Sequence, residues 1–493
     1  MGRLSALSSR RHPAVPRTAV RREVRATLVL ALPLVLTQLT QMSMSFVDVV
    51  MVGRLGTAAM AAAVVGSTVY MTVMMVCLGV VVAVQPSVAQ ATGAGDDAAA
   101  ARVVRQGLWL GLLLGAPFVV LLGQMEPILR AAGQSPETSE LAARFLAAIR
   151  WGFIPNLWFT ALRGLSEGVG RPRPVLWITL IGVSLNVALN PILIYGLAGA
   201  PEMGMVGSGW ASAFAIMGMT AILAAYVFWG PLARYRVFRG LGRPEPAALG
   251  ELFRLGWPIG ITFALEGGIF TAATLLIGRM GEIPLAAHQI ALNAASVAFM
   301  IPLGIGMAGA VRVGQAAGAG DTDGASRAGW AAIGLGGASM FASALVFWLA
   351  PGAIVWIYAG SAPDPEMARR AVALLGIAAV FQLFDGTQAA AAGALRGLKD
   401  TRVPMLIGAV SYWGLGLGLG AYLLFELGQG APGMWWGLTL GLAAAAVLLT
   451  ARFARLVRLP TPPRRPDAGP GPERTGTGAD EPARSRAEPF SVG

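Results

Sequence analysis

The stretch QATGAGD at residues 90–96 returns as QAAGAGD at residues 315–321, each residue 225 positions further on (90 to 315). The same offset aligns Pro33 with Pro258, and GRLG at 53–56 with GRMG at 278–281. A second block, ALRGL, occurs at 161–165 and again at 394–398. Matches over so long a range do not arise by chance, so the sequence predicts a duplicated domain.

The composition places this duplicated domain in a lipid bilayer. Of the 493 residues, 55% are apolar and only 13% are charged, whereas soluble domains carry roughly 25% charged residues. Twelve apolar stretches are each long enough to cross ~30 Å of hydrocarbon. We therefore predict an all-α polytopic membrane protein with twelve transmembrane helices in two pseudo-symmetric six-helix lobes. The predicted spans are 27–52, 62–88, 103–123, 140–162, 174–196, 207–229, 254–278, 287–313, 328–350, 370–395, 403–425 and 434–455.

The repeat and the spans together predict the domain boundaries. The N-lobe is expected at 26–232 and the C-lobe at 254–456, with a linker at 233–253. Residues 1–25 are predicted to form an N-terminal tail. Residues 457–493 are rich in Pro, Gly, Arg and Glu and have few apolar side chains to bury, which predicts a disordered tail.

Basic residues predict the orientation. They cluster before the first span, in the even-numbered connections and after the last span. By the positive-inside rule these segments are cytoplasmic, so both termini should lie inside the inner (cytoplasmic) cell membrane. The net charge of +12 is then explained by topology, and no nucleic-acid partner is expected. The basic residues are Arg10, Arg11, Arg17, Arg21, Arg22, Arg25, Arg171, Arg173, Arg234, Arg236, Arg239, Arg243, Arg396, Lys399, Arg402, Arg452, Arg455 and Arg458.

The sequence lacks the motifs of several enzyme and metal-binding classes. There is no phosphate-binding GxxxxGK[ST] loop, no HExxH zinc pattern and no GxSxG nucleophile motif. Only two histidines and one cysteine, Cys77, are present. The sequence therefore predicts neither an enzyme nor a resident cofactor. The glycine-rich turns at 93–96 and 318–321 are interpreted as helix C-terminal stops.

Three carboxylates lie inside predicted spans: Asp48, Glu266 and Asp385. A charge near the bilayer centre costs at least ~2.5–3.5 kcal/mol, so each is a functional hypothesis. The alternative is that each carboxylate pairs with an arginine or caps a broken helix. On the first helix, Gln38 and Gln41 share a face with Asp48, which indicates contact with water or a ligand.

Other polar side chains inside the spans are candidates for lining a cavity. Gln382 and Gln388 flank Asp385 at three-residue spacing. Asn186 and Asn190 lie four residues apart on the fifth helix, and Gln289 and Asn293 repeat that spacing on the eighth. Hydrogen bonding between helices is an equally good interpretation of both pairs.

Several segments carry a specific resemblance. FVDVVMVG at 46–53, LFRLGWP at 252–258 leading to Glu266, AAHQIALN at 286–293, RVGQ at 312–315 and DGTQAAAAGALRGLKD at 385–400 are similar to the NorM branch of the multidrug and toxic compound extrusion (MATE) family. The resemblance spans nearly everything between the tails.

The resemblance implies two facing lobes and a monomeric transporter in the bilayer. It implies that Na⁺ or H⁺, with no other cofactor, drives the export of cationic amphipathic drugs. It further implies that Glu266 and Asp385 form the cation-coupling site, which is a metal site if the ion is Na⁺. Asp48 is then the N-lobe acid linked to substrate or protons.

One position departs from the pattern. Some NorM members have a tyrosine four residues before the tenth-helix acid, and this chain has Phe381. Phe381 offers a ring face to a cation but no phenolic oxygen, so the choice between Na⁺ and H⁺ stays open. The DinF-like branch of the same family uses an acid in the fifth helix. This chain has Asn186 and Asn190 there instead, which argues against that branch.

Three other functions remain as alternatives. A lipid-linked precursor flippase of the same superfamily would need a cationic central cavity, for which Arg105, Arg144 and Arg150 are the candidates. An intramembrane enzyme would need the three buried carboxylates to converge. A channel fits two unlike carboxylate clusters less well than alternating access does.

Overall fold

The structure is a computed structural model that describes residues 17–360 and 363–458. Twelve helices in these residues are long and apolar enough to cross a membrane, which confirms the predicted fold class. We number them α1 to α12. Their bounds are Arg17–Gly53, Thr57–Gly93, Asp97–Leu122, Pro136–Gly168, Arg173–Tyr195, Met205–Trp229, Pro246–Gly278, Glu282–Gly318, Thr322–Leu349, Pro365–Gly397, Arg402–Phe425 and Gly430–Leu456.

The two sets of six helices follow the repeat. The second helix of each set has 37 residues and the fourth has 33. A short extra helix follows the third helix of each set, at Met125–Ala131 and at Pro351–Ala359. The duplication seen in the sequence is thus a duplication of helix lengths and order.

Several helices extend beyond the predicted apolar spans. α1 begins at Arg17, so residues 17–25 of the predicted tail are helical. α7 begins at Pro246, inside the predicted linker. A helix need not end where the apolar stretch ends, because polar residues in the interfacial region can continue its backbone hydrogen bonds. Proline fits the first turn of a helix, which is where Pro246 lies in α7. The rest of the predicted N-terminal tail and most of the predicted disordered tail lie outside the described residues.

Three helices depart locally from regular α-helix. α2 is interrupted at Ala83, and a 3₁₀ turn at Arg150–Gly152 divides α4. In α11, Ala409–Leu417 form a π-helix. Such π segments are rare and occur frequently at functional sites, which directs attention to the side chains of this stretch.

Buried side chains form one large core in each half. The first core draws mainly on α2 to α6, and Leu252, Leu255 and Ile259 of α7 join it. The second draws on α7 to α12. A smaller core joins α1 and α2 to α8 and α9. We call α1–α6 the first lobe and α7–α12 the second; α7 and α1 each pack partly against the other lobe.

The lobes approach closely at the face where α1 begins and α12 ends, which we call the terminal face. Added side chains at Gly93 and Gly318 would overlap the backbones of Gln315 and Gln90, respectively. The Gln90 amide donates to the Gly397 carbonyl at 2.8 Å, and the Gln315 amide donates to the Gly168 carbonyl at 2.9 Å. The duplicated motif therefore ends two helices, as predicted, and also forms a nearly symmetric contact between the lobes.

Candidate ion and substrate sites

A cavity of about 230 Å³ in the second lobe contains both Glu266 and Asp385. Glu266 comes from α7 and Asp385 from α10, so the tertiary fold joins two acids that are far apart in the sequence. Most of the other lining side chains are apolar or aromatic. They include Met75, Ile269, Phe270, Leu292, Phe299, Met300, Phe381, Trp435, Leu438 and Leu442.

The two acids differ in their protein partners. Oε1 of Glu266 accepts hydrogen bonds from the Gln388 amide at 3.0 Å and from the Tyr412 hydroxyl at 3.2 Å. Asp385 is 9% exposed, and no side chain or backbone group in the described part of the chain donates to its carboxylate. Glu266 is thus held in position, whereas the Asp385 oxygens are available to a ligand.

Tyr412 is a site residue that sequence reasoning missed. It lies in the π-helical segment of α11, is almost fully buried and lines the cavity. Its phenolic oxygen lies beside Glu266, so a different helix supplies the oxygen that Phe381 lacks. The signal in the sequence is weak: the predicted span has one adjacent polar pair, Ser411 and Tyr412, and a second tyrosine, Tyr422.

Aromatic rings form one wall of this cavity. The Phe381 ring lies 6.1 Å from Phe270 and 5.6 Å from Trp435, both in edge-on geometry. The Trp435 indole donates to Nδ1 of His288 at 3.1 Å, which fixes the orientation of the indole. Ring faces attract cations, so this wall and the two carboxylates favour the same sign of ligand.

Asp48 lies in a separate polar cluster in the first lobe. Its carboxylate accepts hydrogen bonds from Asn190 at 2.7 Å, Asn186 at 3.2 Å and Ser212 at 2.9 Å. The two asparagines predicted as a pair therefore form hydrogen bonds between helices, to a carboxylate of α1. A cavity-lining role for the pair stays a prediction. Ser212 of α6 was not predicted, although Ser208 lies four residues before it on the same helix.

The remaining polar face of α1 contacts a different group. Arg163 of α4 donates to Gln38 at 2.8 Å and to Gln41 at 3.3 Å. The same guanidinium pairs with Glu167, which also accepts from Gln85 at 2.7 Å. Arg163 and Glu167 are 9% and 1% exposed. Sequence reasoning missed this buried ion pair, although its four-residue spacing on a helix was visible.

The repeat places an equivalent arginine in the second lobe. Arg396 aligns with Arg163, and its guanidinium lies 6.0 Å from the centre of the Phe263 ring. Arg396 and Glu266 also line one small pocket of about 40 Å³. By the offset of 225, Phe263 and Glu266 occupy the positions of Gln38 and Gln41. The first helix of the first lobe therefore presents two amides to Arg163, whereas the first helix of the second lobe presents Phe263 and the acid Glu266 to the pocket of Arg396.

Of the five cavity candidates in the second lobe, Phe381 and Gln388 line the cavity that holds Glu266, and the other three lie outside its lining. Gln382 is fully buried, and its amide atoms have no hydrogen-bond partner among the described residues. Gln289 is half-buried. Asn293 is exposed and donates to the Gln289 carbonyl of its own helix at 2.9 Å. A cavity-lining role for these three stays a prediction.

The cavity offers oxygen ligands. Two carboxylates, one phenol and one amide meet there, and no group of three or more His, Cys, Asp or Glu side chains occurs in residues 17–360 and 363–458. Oxygen ligands suit hard cations, whereas zinc prefers nitrogen and sulfur. The arrangement is chemically suited to a proton or a hard cation.

The family comparison matches the chain twice. The family model described as MatE matches residues 33–192 and 258–422. These segments begin at Pro33 and Pro258, the two prolines that the repeat aligns, so each lobe contains one copy. The chain belongs to the MatE family. Membership in this family confirms the resemblance and the prediction of a transporter rather than an enzyme.

MatE relatives cover most of the chain. This chain is 44% identical over 434 residues to a probable multidrug resistance protein NorM of Pseudomonas aeruginosa. The match covers 87% of this chain and 89% of that protein. It is 42% identical to the multidrug resistance protein NorM of Burkholderia vietnamiensis, with coverages of 90% and 97%. The crystal structure of the eukaryotic MATE transporter AtDTX14 superimposes with a TM-score of 0.78 at 19% identity, over 89% of this chain and 99% of that chain.

Proposed function

We propose that this MatE protein is a multidrug efflux transporter that exchanges Na⁺ or H⁺ for cationic amphipathic compounds. The observation that carries the proposal is the aromatic cavity with Glu266 and Asp385, because its charge and apolar lining favour organic cations and small cations alike. Relatives called NorM, more than 40% identical, support export of drugs.

Coupling follows from the charge of the two acids. Two carboxylates in one cavity of low dielectric do not both stay ionised at low cost, so the pair takes up a proton or a cation. Neutralisation weakens the attraction for a positively charged substrate and changes which arrangement of the lobes is favoured. Helices α1 and α7 contain Pro33 and Pro258, where they can bend.

The energetics are sufficient for concentrative export. One charge that crosses ~150 mV supplies ~3.5 kcal/mol. Each tenfold substrate gradient needs ~1.4 kcal/mol. One ion per transport cycle therefore supports a gradient of at least about a hundredfold.

We infer that the terminal face is cytoplasmic, since the basic connections lie there. The contact between Gly93, Gly318 and their neighbours then closes the path to the cytoplasm. In this arrangement the substrate path leads outward. The closest contacts between the lobes mainly involve α1 and α2 against α7 and α8, with further contacts from α4, α9 and α10. We propose that α1, α2, α7 and α8 form the moving seam.

The test of this function is dye efflux from reconstituted vesicles. A Na⁺ gradient is imposed in one series and a pH gradient in another, with ethidium as the cationic dye and a carboxylated dye as the anionic comparison. Cationic efflux that depends on one of the two gradients supports the proposal and identifies the ion. Efflux under neither gradient, or preference for the anionic dye, overturns it.

The arginine positions weigh against a flippase for anionic pyrophosphates. Arg105 donates to the Arg239 carbonyl at 2.6 Å, and Arg144 pairs with Glu140 on the helix surface. Arg150 stacks over Trp151. None of the three arginines lines the cavity that holds Glu266. The enzyme alternative requires that the three buried carboxylates converge. It has no support either, because Asp48 is hydrogen-bonded within the first lobe, whereas Glu266 and Asp385 lie in the second.

Tyr412→Phe tests the residue that the sequence did not reveal. Loss of the hydroxyl removes one hydrogen bond to Glu266, and a hydrogen bond to a charged group contributes about 1.5–3 kcal/mol. If Na⁺ drives efflux, we expect the Na⁺ concentration for half-maximal efflux to rise about tenfold, with little change in the maximal rate. If H⁺ drives efflux, the lost donor favours the protonated acid, and the proton concentration for half-maximal efflux should fall about tenfold. Tyr422→Phe, at an exposed position of the same helix, is the control. An unchanged ion dependence in Tyr412→Phe would contradict this role.

A further inference from the structure

A second large cavity, of about 560 Å³, opens at the terminal face between α1, α5 and α8. Arg171 and Arg173 of the first lobe and Arg312 of the second lobe line it. It is therefore a basic pocket at a junction between the lobes, and it shares no lining residue with the cavity that holds Glu266.

The pocket lies at the level of the membrane interface. Arg173 is the first residue of α5, and Tyr226 lies three residues before the end of α6. The apolar wall continues along α1 with Ala26, Val29 and Leu30, of which Val29 is 56% exposed. The pocket thus combines a charged rim with an apolar side along α1.

The three arginines that line the pocket differ in whether they have an acidic partner. Arg312 is neutralised by Glu23, with hydrogen bonds from Nε and Nη2 at 2.9 Å each. Arg171 and Arg173 are exposed, and neither has a carboxylate within 4.0 Å in the described part of the chain. The Gln315 amide already donates to Gly168. Two guanidinium groups are therefore available to an anion.

We propose that this pocket binds the phosphate headgroup of an anionic phospholipid of the adjacent leaflet. Arg171 and Arg173 would hold the phosphate, since guanidinium matches phosphate oxygens in bidentate geometry. The acyl chains would lie along the exposed Val29. If the terminal face is cytoplasmic, as proposed above, this is the inner leaflet, whose surface is negative. A headgroup held beside both lobes favours the arrangement in which they are in contact.

Native mass spectrometry of the full chain in detergent tests the site. Dioleoyl phosphatidylglycerol and dioleoyl phosphatidylcholine are titrated separately, with inorganic phosphate as a competitor in a third series. We expect tighter binding of phosphatidylglycerol. The double variant Arg171→Gln/Arg173→Gln should bind it about 30-fold more weakly, as expected for two arginines near an anionic headgroup.

The double variant Arg236→Gln/Arg239→Gln is the matched control, because it removes two arginines of the same face that do not line the pocket. It should keep the affinity of the unmodified protein. Equal binding of the two lipids, or unchanged binding in Arg171→Gln/Arg173→Gln, overturns the proposal. Displacement of the lipid by millimolar phosphate identifies free phosphate as the ligand and overturns the lipid assignment. The binding measurement uses no ion gradient, so its result is independent of the transport assay. Lipid binding can be absent in a protein that transports the dye, and it can be present in a protein that does not.

Discussion

Glu266→Gln should abolish ion-driven efflux and leave the protein folded. The glutamine oxygen still accepts from Gln388 and Tyr412, so the geometry is retained while the charge is lost. Removing one charge of a buried site costs about 2–5 kcal/mol of ion-binding free energy. Asp385→Asn should have the same effect on transport, because no protein group competes for its oxygens. The measurement is dye efflux from proteoliposomes under the gradient that drives the unmodified protein.

The matched control is Glu251→Gln, on the same helix as Glu266. The Glu251 side chain is 76% exposed and pairs with Lys399 at the terminal face. Efflux by this variant should equal that of the unmodified protein. Thermal unfolding of all three variants separates a loss of coupling from a loss of fold. Full ion-driven transport by Glu266→Gln or Asp385→Asn would contradict the assignment of the cation site.

Arg163→Met should destabilise the protein more than any of these changes. It leaves Glu167 charged and buried with only Gln85 as a partner, and it removes the donor to Gln38 and Gln41. Breaking a buried ion pair by removing one partner costs about 3–5 kcal/mol. The measurement is thermal unfolding in detergent, followed by the retention of monodisperse protein after heating.

A double variant distinguishes an uncompensated charge from a loss of packing. In Arg163→Met/Glu167→Gln no charge remains buried, and the glutamine oxygen can still accept from Gln85. We expect most of the lost thermal stability to return. If the double variant is as unstable as Arg163→Met, the arginine stabilises the helix through its contacts with α1 alone, and the ion pair contributes little.

The sequence alone was sufficient for the fold and for locating three acids inside the spans. Twelve spans, the duplication and the three acids follow from apolar length and from the cost of a buried charge, and both are local properties. Helix ends were less well predicted, as α1 and α7 show, because polar residues continue a helix beyond the apolar stretch.

Residues whose role depends on a partner were missed. Tyr412, Ser212 and Arg163 each lie on a helix whose neighbour cannot be read from one sequence. The polar face of α1 shows the limit most clearly. It was interpreted as one stripe, but Asp48 bonds to α5 and α6 while Gln38 and Gln41 bond to α4. Helical periodicity gives the direction of a side chain around its own axis, and packing decides what it meets.

The repeat of QATGAGD as QAAGAGD by itself determined that two similar lobes exist and where their helices end. Only the tertiary structure decided that the two copies touch across the lobes, and that the first helix of one lobe brings two amides to Arg163 while that of the other brings Glu266 into the pocket of Arg396. The physical reason is that duplication preserves backbone geometry, whereas the charge of a buried site depends on side chains from separate helices. Chemistry therefore diverged where the scaffold stayed the same.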